Sequence, residues 1–193
     1  MAKIFEVLFY KGTFTDTVNG IAPTIRGTMP LTIGSKGHAI YSNSTSNSLE
    51  YLKTLSNGTY SIITWVKPDA IIGDHFICDL RYNGGTECIY VNSLWSKIST
   101  GTFYINGEQV VTPKHNQYQC VILNGFTNVS TRINLLTRYD YASVALMSIA
   151  YFAIYSGSLT EQERASAYKD FLNSYPQSKE KYPNVINKPL DLS

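Results

Sequence analysis

The stretch YFAIYSGSLTEQERASAYKDFLNSYP, residues 151–176, joins a β-like run to a helix with a well-defined start. Thr160 can cap the first helical amides and Glu163 can return a hydrogen bond to Thr160, which makes a Thr-x-x-Glu capping box. Apolar side chains recur at i, i+3, i+4 and i+7 and predict one stripe that faces a core: Tyr168, Phe171, Leu172 and Tyr175. Pro176 ends the pattern. We therefore predict one amphipathic helix that starts at Glu161.

The chain before Gly157 has the pattern of short strands joined by turns. Residues 3–10 and 59–68 alternate in a way that predicts strands. The Asn-Gly-Gly at 83–85 predicts a tight hairpin, and the Asn-Gly at 106–107 predicts a second one. Further strand-like runs follow as YQCVILNG, TRINLLTRY and SVALMSIAYFAIYSG. Strands spaced by roughly eight to twelve residues favour an all-β fold, a two-sheet antiparallel sandwich or jelly roll.

The length of the chain, 193 residues, is typical of one domain with a sizeable core. We predict that residues 1–175 form this domain. Residues 176–193 contain prolines and few large apolar side chains, and they are expected to form an extended C-terminal tail.

The charge pattern disfavours two classes of partner. A net charge of +2 with no dense Lys/Arg block is too weak a field for generic binding to nucleic acid. No run approaches the roughly 18 apolar residues that span a bilayer, and MAKIFEVLFYKG lacks the features of a signal peptide. We therefore expect no membrane segment and no secretory leader. The expected location is a virion or the extracellular surface of an assembly, reached by lysis, assembly or a dedicated export route.

Three segments resemble one family. The strand YSIITWVKP at 60–68 is similar to the Trp-x-Lys-Pro strand of laminin G-like, concanavalin A-like domains. FYINGEQV at 103–110 resembles the aromatic-x-Asn-Gly hairpin of that family, and IAYFAIYSGSLTEQERASAYKDF at 149–171 resembles its closing strand, turn and helix. The resemblance implies a jelly roll of two antiparallel sheets, a fold used by lectins, adhesive modules, glycosidases, lyases and phage capsid or fibre accessory domains. Because fold does not give function, the residues must be read for chemistry.

No catalytic constellation is visible in the sequence. Retaining glycosidases need two carboxylates about 5 Å apart, and no Glu-x-Asp-x-Glu pattern occurs here. The isolated acids are predicted to be solvated turn or edge residues: Asp74, Asp79, Glu87, Glu108 and Asp140. His38, His75 and His115 are scattered, and none has metal-ligand spacing. We therefore predict a protein that is not an enzyme.

The three cysteines lack the CxxC spacing of a metal knuckle, and we predict ordinary buried thiols at Cys78, Cys88 and Cys120. Calcium sites in lectin-like domains use loop acids, but Asp69, Asp74 and Asp140 form no cluster in the sequence. No metal or other cofactor is predicted.

Sugar binding needs an aromatic platform together with Asn, Asp or Arg side chains that bond hydroxyl groups. Three segments have this mixture: RYNGG, SLWSK and TRYDY. The candidate ligand-binding residues are Arg138, Tyr139, Asp140, Tyr141, Trp95 and Tyr82. Equally, each aromatic residue can serve as ordinary strand packing.

Three functions follow from these patterns. The favoured hypothesis is a non-catalytic structural or adhesive module on a larger assembly, most plausibly a phage capsid accessory (decoration) or fibre protein. Its partners would be other virion or assembly proteins, reached through residues 177–193. The alternative is a lectin-like adhesin that binds surface glycans. A polysaccharide hydrolase or lyase is the third, disfavoured by the missing carboxylate pair.

Overall fold

A computed structural model describes most of the chain. The described residues are 1–27, 31–34, 37–42, 47–69, 73–81, 88–98, 100–138, 140 and 145–174; for 31–34, 37, 38 and 96–98 only the backbone is described.

Within these residues the chain forms thirteen strands and one α-helix. The strands are β1 (Lys3–Val7), β2 (Thr24–Arg26), β3 (Leu31–Gly34), β4 (Gly37–Ser42), β5 (Ser48–Tyr51), β6 (Leu55–Pro68), β7 (His75–Asp79), β8 (Cys88–Asn92), β9 (Leu94–Ile98), β10 (Thr102–Ile105), β11 (Gln119–Ser130), β12 (Ile133–Leu135) and β13 (Met147–Ser156). The helix α1 spans Glu161–Ser174.

The strands make two antiparallel sheets, as the sequence predicts. The first sheet has the order β10-β11-β6-β13-β4-β3 in the described part of the chain, and β1 pairs with β13 beside β4. The second sheet has the order β2-β5-β12-β7-β8-β9. Apolar side chains from both sheets meet in one core, which identifies the fold as a β-sandwich.

The central strands of the first sheet are buried on both faces. On β6, Ile62 and Val66 enter the core between the sheets, whereas Ile63 and Trp65 belong to a second apolar cluster on the outer face. Successive residues of a strand point to opposite faces of the sheet, so the apolar side chains on both faces of β6 must be covered. The helix supplies it, because Phe171 is buried in the second cluster.

The helix begins where the capping box predicts. The Glu163 amide donates to Thr160 Oγ1 at 3.2 Å, and the Thr160 amide donates to Glu163 Oε2 at 2.8 Å. Tyr168 and Leu172 pack against the second cluster beside the buried Phe171. The helix prediction is confirmed through Ser174, while Tyr175 and the predicted tail lie outside the described residues.

Two predicted strands have different bounds. The first strand ends at Val7, because a 3-10 turn follows at Phe9–Lys11 and Gly12 closes it with φ = 76°. This left-handed conformation favours glycine. The strand predicted at 59–68 starts earlier, at Leu55.

The first hairpin prediction is correct in its strand pair, whereas the second is correct only in its turn, because β10 pairs with β11. β7 and β8 are antiparallel partners, although the Asn-Gly-Gly between them lies outside the described residues. At the second hairpin Asn106 and Gly107 have φ values of 54° and 88°, as a tight turn of this kind requires. The segment after Gly107 contributes only a bridge between Glu108 and Ile105.

Candidate functional site

Three polar side chains lie side by side across the middle of the second sheet. Asn134 on β12 is paired with Glu50 on β5 and with Asp79 on β7. Directly paired residues of antiparallel strands point to the same face of a sheet. The three side chains therefore form one row on a single face.

This row lies on the outer face of the second sheet. The residues on either side of Glu50 and Asn134 in sequence point into the core: Leu49, Tyr51, Ile133 and Leu135. Because successive strand residues alternate, Glu50 and Asn134 face outward. Asp79 follows the core residue Cys78 and faces outward for the same reason.

Each carboxylate in the row is paired with an arginine. Asp79, with no exposed surface, accepts hydrogen bonds from Arg81 Nε at 3.0 Å and Arg81 Nη2 at 2.6 Å, a bidentate pair. Glu50 Oε2 accepts from Arg132 Nη1 at 2.8 Å. The arginine side chains are 17% and 27% exposed, so the guanidinium groups lie at the outer edge of the row.

Asn134 differs from its neighbours because its amide is unpaired. The side chain is fully buried, and neither Nδ2 nor Oδ1 has a hydrogen-bond partner. An unsatisfied buried polar group costs about 1–3 kcal/mol. An amide in this position can still bond a group from outside the chain, such as a water molecule or a ligand.

An aromatic pair extends the same face on the neighbouring strand. The rings of Phe76 and Tyr90 are stacked with centroids 5.2 Å apart, and the Arg81 guanidinium lies 5.5 Å from the Phe76 centroid. Tyr90 is half-buried and Phe76 is buried. The arginine thus links the polar row to the aromatic pair.

We call these polar residues the polar face: Glu50, Asp79, Arg81, Arg132 and Asn134. Its groups combine planar donors and acceptors with a neighbouring aromatic ring, and its two ion pairs balance in charge. Such a set suits a neutral ligand with many hydroxyl groups, because each hydroxyl can both donate and accept.

One predicted site residue, Trp95, lies in the core. Trp95 is 2% exposed, lies in the cluster between the sheets and donates from Nε1 to Gln119 Oε1 at 3.4 Å. It is paired with the core residue Val91 and therefore points inward. As a correction to the expectation of a sugar platform at Trp95, this ring is not presented at the surface.

The other predicted site residues are divided between two places. Arg138 and Asp140 form an ion pair at the surface, with 3.3 Å between Nε and Oδ2, just past the C-terminal end of β12. Tyr82, Tyr139 and Tyr141 lie outside the described residues. RYNGG contributes Arg81 to the polar face, whereas Arg138 and Asp140 lie beyond the opposite end of β12 from Arg132.

Sequence reasoning missed Glu50, Arg132 and Asn134. A signal was present, because Glu50 and Asn134 each interrupt an apolar run in SLEYL and RINLL. The prediction that Asp79 is a solvated turn or edge residue is wrong. Asp79 ends a strand inside the sheet and is fully buried beside Arg81.

The cysteine prediction is confirmed. Cys78, Cys88 and Cys120 are buried and form no disulfide bond with one another. Burial raises the pKa of the thiols of Cys78 and Cys120 above the ordinary value, which keeps them protonated and unreactive. The β7–β8 register pairs Cys78 with Ile89 rather than with Cys88.

Two kinds of feature are absent from the described residues. They contain no group of three or more His, Cys, Asp or Glu side chains placed to hold a metal ion. They also include no helix with the length and apolar character needed to cross a membrane.

The fold and the polar face together define a two-sheet β-sandwich with a polar and aromatic outer face. No protein-family model matches the sequence, and no curated protein is significantly similar to it. Solved structures do share the fold.

Among these structures are receptor-binding domains of botulinum neurotoxins. The type G receptor-binding domain superposes with a TM-score of 0.60 at 15% identity, over 88% of this chain and 51% of that one. The serotype D ligand-binding domain, solved in complex with N-acetylneuraminic acid, gives 0.59 at 13% identity, over 86% and 50%.

A type C structure gives a TM-score of 0.54 at 14% identity, over 88% of this chain and 51% of that one, and cell entry of that toxin is described as dependent upon interaction with two ganglioside molecules. The chain thus spans about half the length of these domains. At such low identity the likeness establishes the β-sandwich fold.

Proposed function

We propose that this protein is a non-catalytic binding module whose ligand is a carbohydrate, held at the polar face. The observation that carries the proposal is the buried, unpaired amide of Asn134 between two arginine–carboxylate pairs. A sugar with adjacent hydroxyl groups offers both an acceptor for Nδ2 and a donor for Oδ1.

Two further features support this choice over other ligands. Tyr90 lies on the same face and offers part of an aromatic ring next to the hydrogen-bonding groups, the combination found in sugar sites. The structural neighbours include domains associated with N-acetylneuraminic acid and with gangliosides, both of which contain sugars. Those neighbours are named as receptor-binding or ligand-binding domains, which agrees with binding rather than turnover.

The test is a glycan array followed by calorimetric titration of the best glycan. We expect at least one glycan to bind to the wild-type protein. Arg132→Gln should weaken binding about tenfold or more, because hydrogen bonds from charged groups contribute about 1.5–3 kcal/mol. Lys169→Gln is the matched control, since Lys169 is an exposed cation on α1, which packs on the first sheet rather than the second.

The outcomes separate clearly. An array with no hits, or equal affinity in wild type and Arg132→Gln, would reject the polar face as a glycan site. Equal losses in Arg132→Gln and Lys169→Gln would show that general charge, not this site, controls binding.

We also propose, from the sequence resemblance, that the module is displayed on a larger assembly such as a phage-like virion. The segment expected to contact neighbouring subunits is 177–193. This display and carbohydrate binding are compatible, because residues 177–193 and the polar face are different parts of the chain.

A further inference from the structure

An open recess lies on the other side of the molecule, between the outer face of the first sheet and α1. Its volume is about 200 Å³. Trp65, Tyr151 and Tyr155 line it from the sheet, and Glu163 and Asp170 line it from the helix. This volume is below the roughly 300 Å³ at which drug-sized pockets begin, so the recess suits a single small ring.

The sheet side of the recess is held in place by aromatic packing. The Trp65 ring lies 4.6 Å from the Tyr151 ring and 5.1 Å from the Tyr10 ring, measured between centroids. Tyr151 donates a hydrogen bond to Glu6 at 3.1 Å. This wall is therefore fixed before any ligand arrives.

One donor in this wall has no partner. Trp65 is 3% exposed, and its indole N–H makes no hydrogen bond. A ligand group that accepts a hydrogen bond, such as a hydroxyl oxygen, would satisfy this donor.

The helix side of the recess is acidic. Glu163 already accepts a hydrogen bond from the Met1 ammonium at 2.6 Å, which shows that this rim holds an ammonium group. Asp170 is exposed and forms no ion pair within the described residues. Its charge remains available for a cationic ligand.

We propose that this recess binds a hydroxylated ring that carries a protonated amine, the chemistry of an unacetylated amino sugar. The amine interacts with Asp170, the hydroxyl groups meet Trp65 N–H and Ser166, and the aromatic wall covers the ring. The site lies on a different sheet from the polar face and does not depend on it.

The test compares three ligands that differ at one position: glucosamine, glucose and N-acetylglucosamine, titrated by NMR or calorimetry. Glucosamine should bind about tenfold more tightly than either neutral sugar, because one charge-assisted hydrogen bond is added. Asp170→Asn should abolish this preference. Glu161→Gln is the matched control, because Glu161 is an exposed acid on the same helix and does not line the recess.

Equal affinity for the three sugars, an Asp170→Asn protein that keeps the preference, or equal losses in Asp170→Asn and Glu161→Gln would each overturn the inference. Asn134→Leu should leave glucosamine affinity unchanged. A loss in that variant would place the amine on the polar face and overturn the assignment to the recess. The melting temperature of each variant verifies that it is folded.

Discussion

At the scale of single residues, Asn134 is the side chain whose environment is hardest to explain by stability. It occupies the central strand of the second sheet, where Ile133 and Leu135 fill the core, yet its own amide has no partner. Asp79 and Glu50 beside it are buried charges, and each is neutralised by an arginine. A buried ion pair is weak support for stability, which agrees with the binding role proposed for the row.

Replacing this amide by a side chain of similar shape should stabilise the protein. Asn134→Leu removes an unsatisfied donor and acceptor, and we expect the free energy of unfolding to rise by about 1–3 kcal/mol. Asn173→Leu, at an exposed position near the end of α1, should change it by less than about 0.5 kcal/mol. Urea denaturation measures both. A destabilised Asn134→Leu protein would mean that the amide has structural partners.

At the scale of elements, α1 depends on a start signal encoded in four residues. Thr160 and Glu163 exchange hydrogen bonds, and this arrangement satisfies amides that would otherwise lack partners at the helix start. The Glu163 carboxylate also accepts a hydrogen bond from the Met1 ammonium. This bond is the largest cause that lowers the pKa of Glu163 to about 2, and the hydrogen bonds from Thr160 add to it. The helix in turn covers Ile63 and Trp65 on the first sheet.

Loss of the cap should weaken the helix and its packing together. Thr160→Ala should lower the free energy of unfolding by about 1 kcal/mol. Thr160→Ser should leave the free energy of unfolding nearly unchanged, because serine caps equally well. Chemical denaturation followed by circular dichroism gives both values. If alanine and serine behave alike, the capping box does not determine the stability of α1.

The elements also show which features can be predicted from sequence. The capping box and the Asn-Gly turn at 106–107 are local signals, and the structure has both where the sequence predicts them. Strand ends were less predictable. The first strand stops at Val7 because the buried Phe9 enters a turn closed by Gly12. This turn depends on tertiary packing, which the alternation of apolar residues in the sequence does not reveal.

At the scale of the whole molecule, the candidate site is assembled by strand register. Glu50, Asp79 and Asn134 are distant in sequence and become neighbours only when β5, β12 and β7 pair. Each residue alone resembles a polar interruption of an apolar run, so the sequence could not assign them to one row. Trp95 shows the reverse, because a residue type typical of sugar sites is directed inward by its pairing with Val91.

The proposed role of the tail belongs to this scale as well. Deletion of residues 177–193 should leave the β-sandwich folded, because the two apolar clusters of the described residues are complete by Leu172. We expect the deletion to abolish incorporation of the chain into its native particle, measured by co-purification with that particle. Incorporation at the wild-type level would contradict a docking role for the tail.

We propose that the polar face binds a carbohydrate at the expense of stability. The most direct measurement is the affinity of the best array glycan for wild-type and Asn134→Leu proteins, alongside their stabilities. We expect Asn134→Leu to be the more stable protein and to bind the glycan more weakly by about tenfold or more. Unchanged affinity in a stabilised, folded Asn134→Leu protein would contradict it.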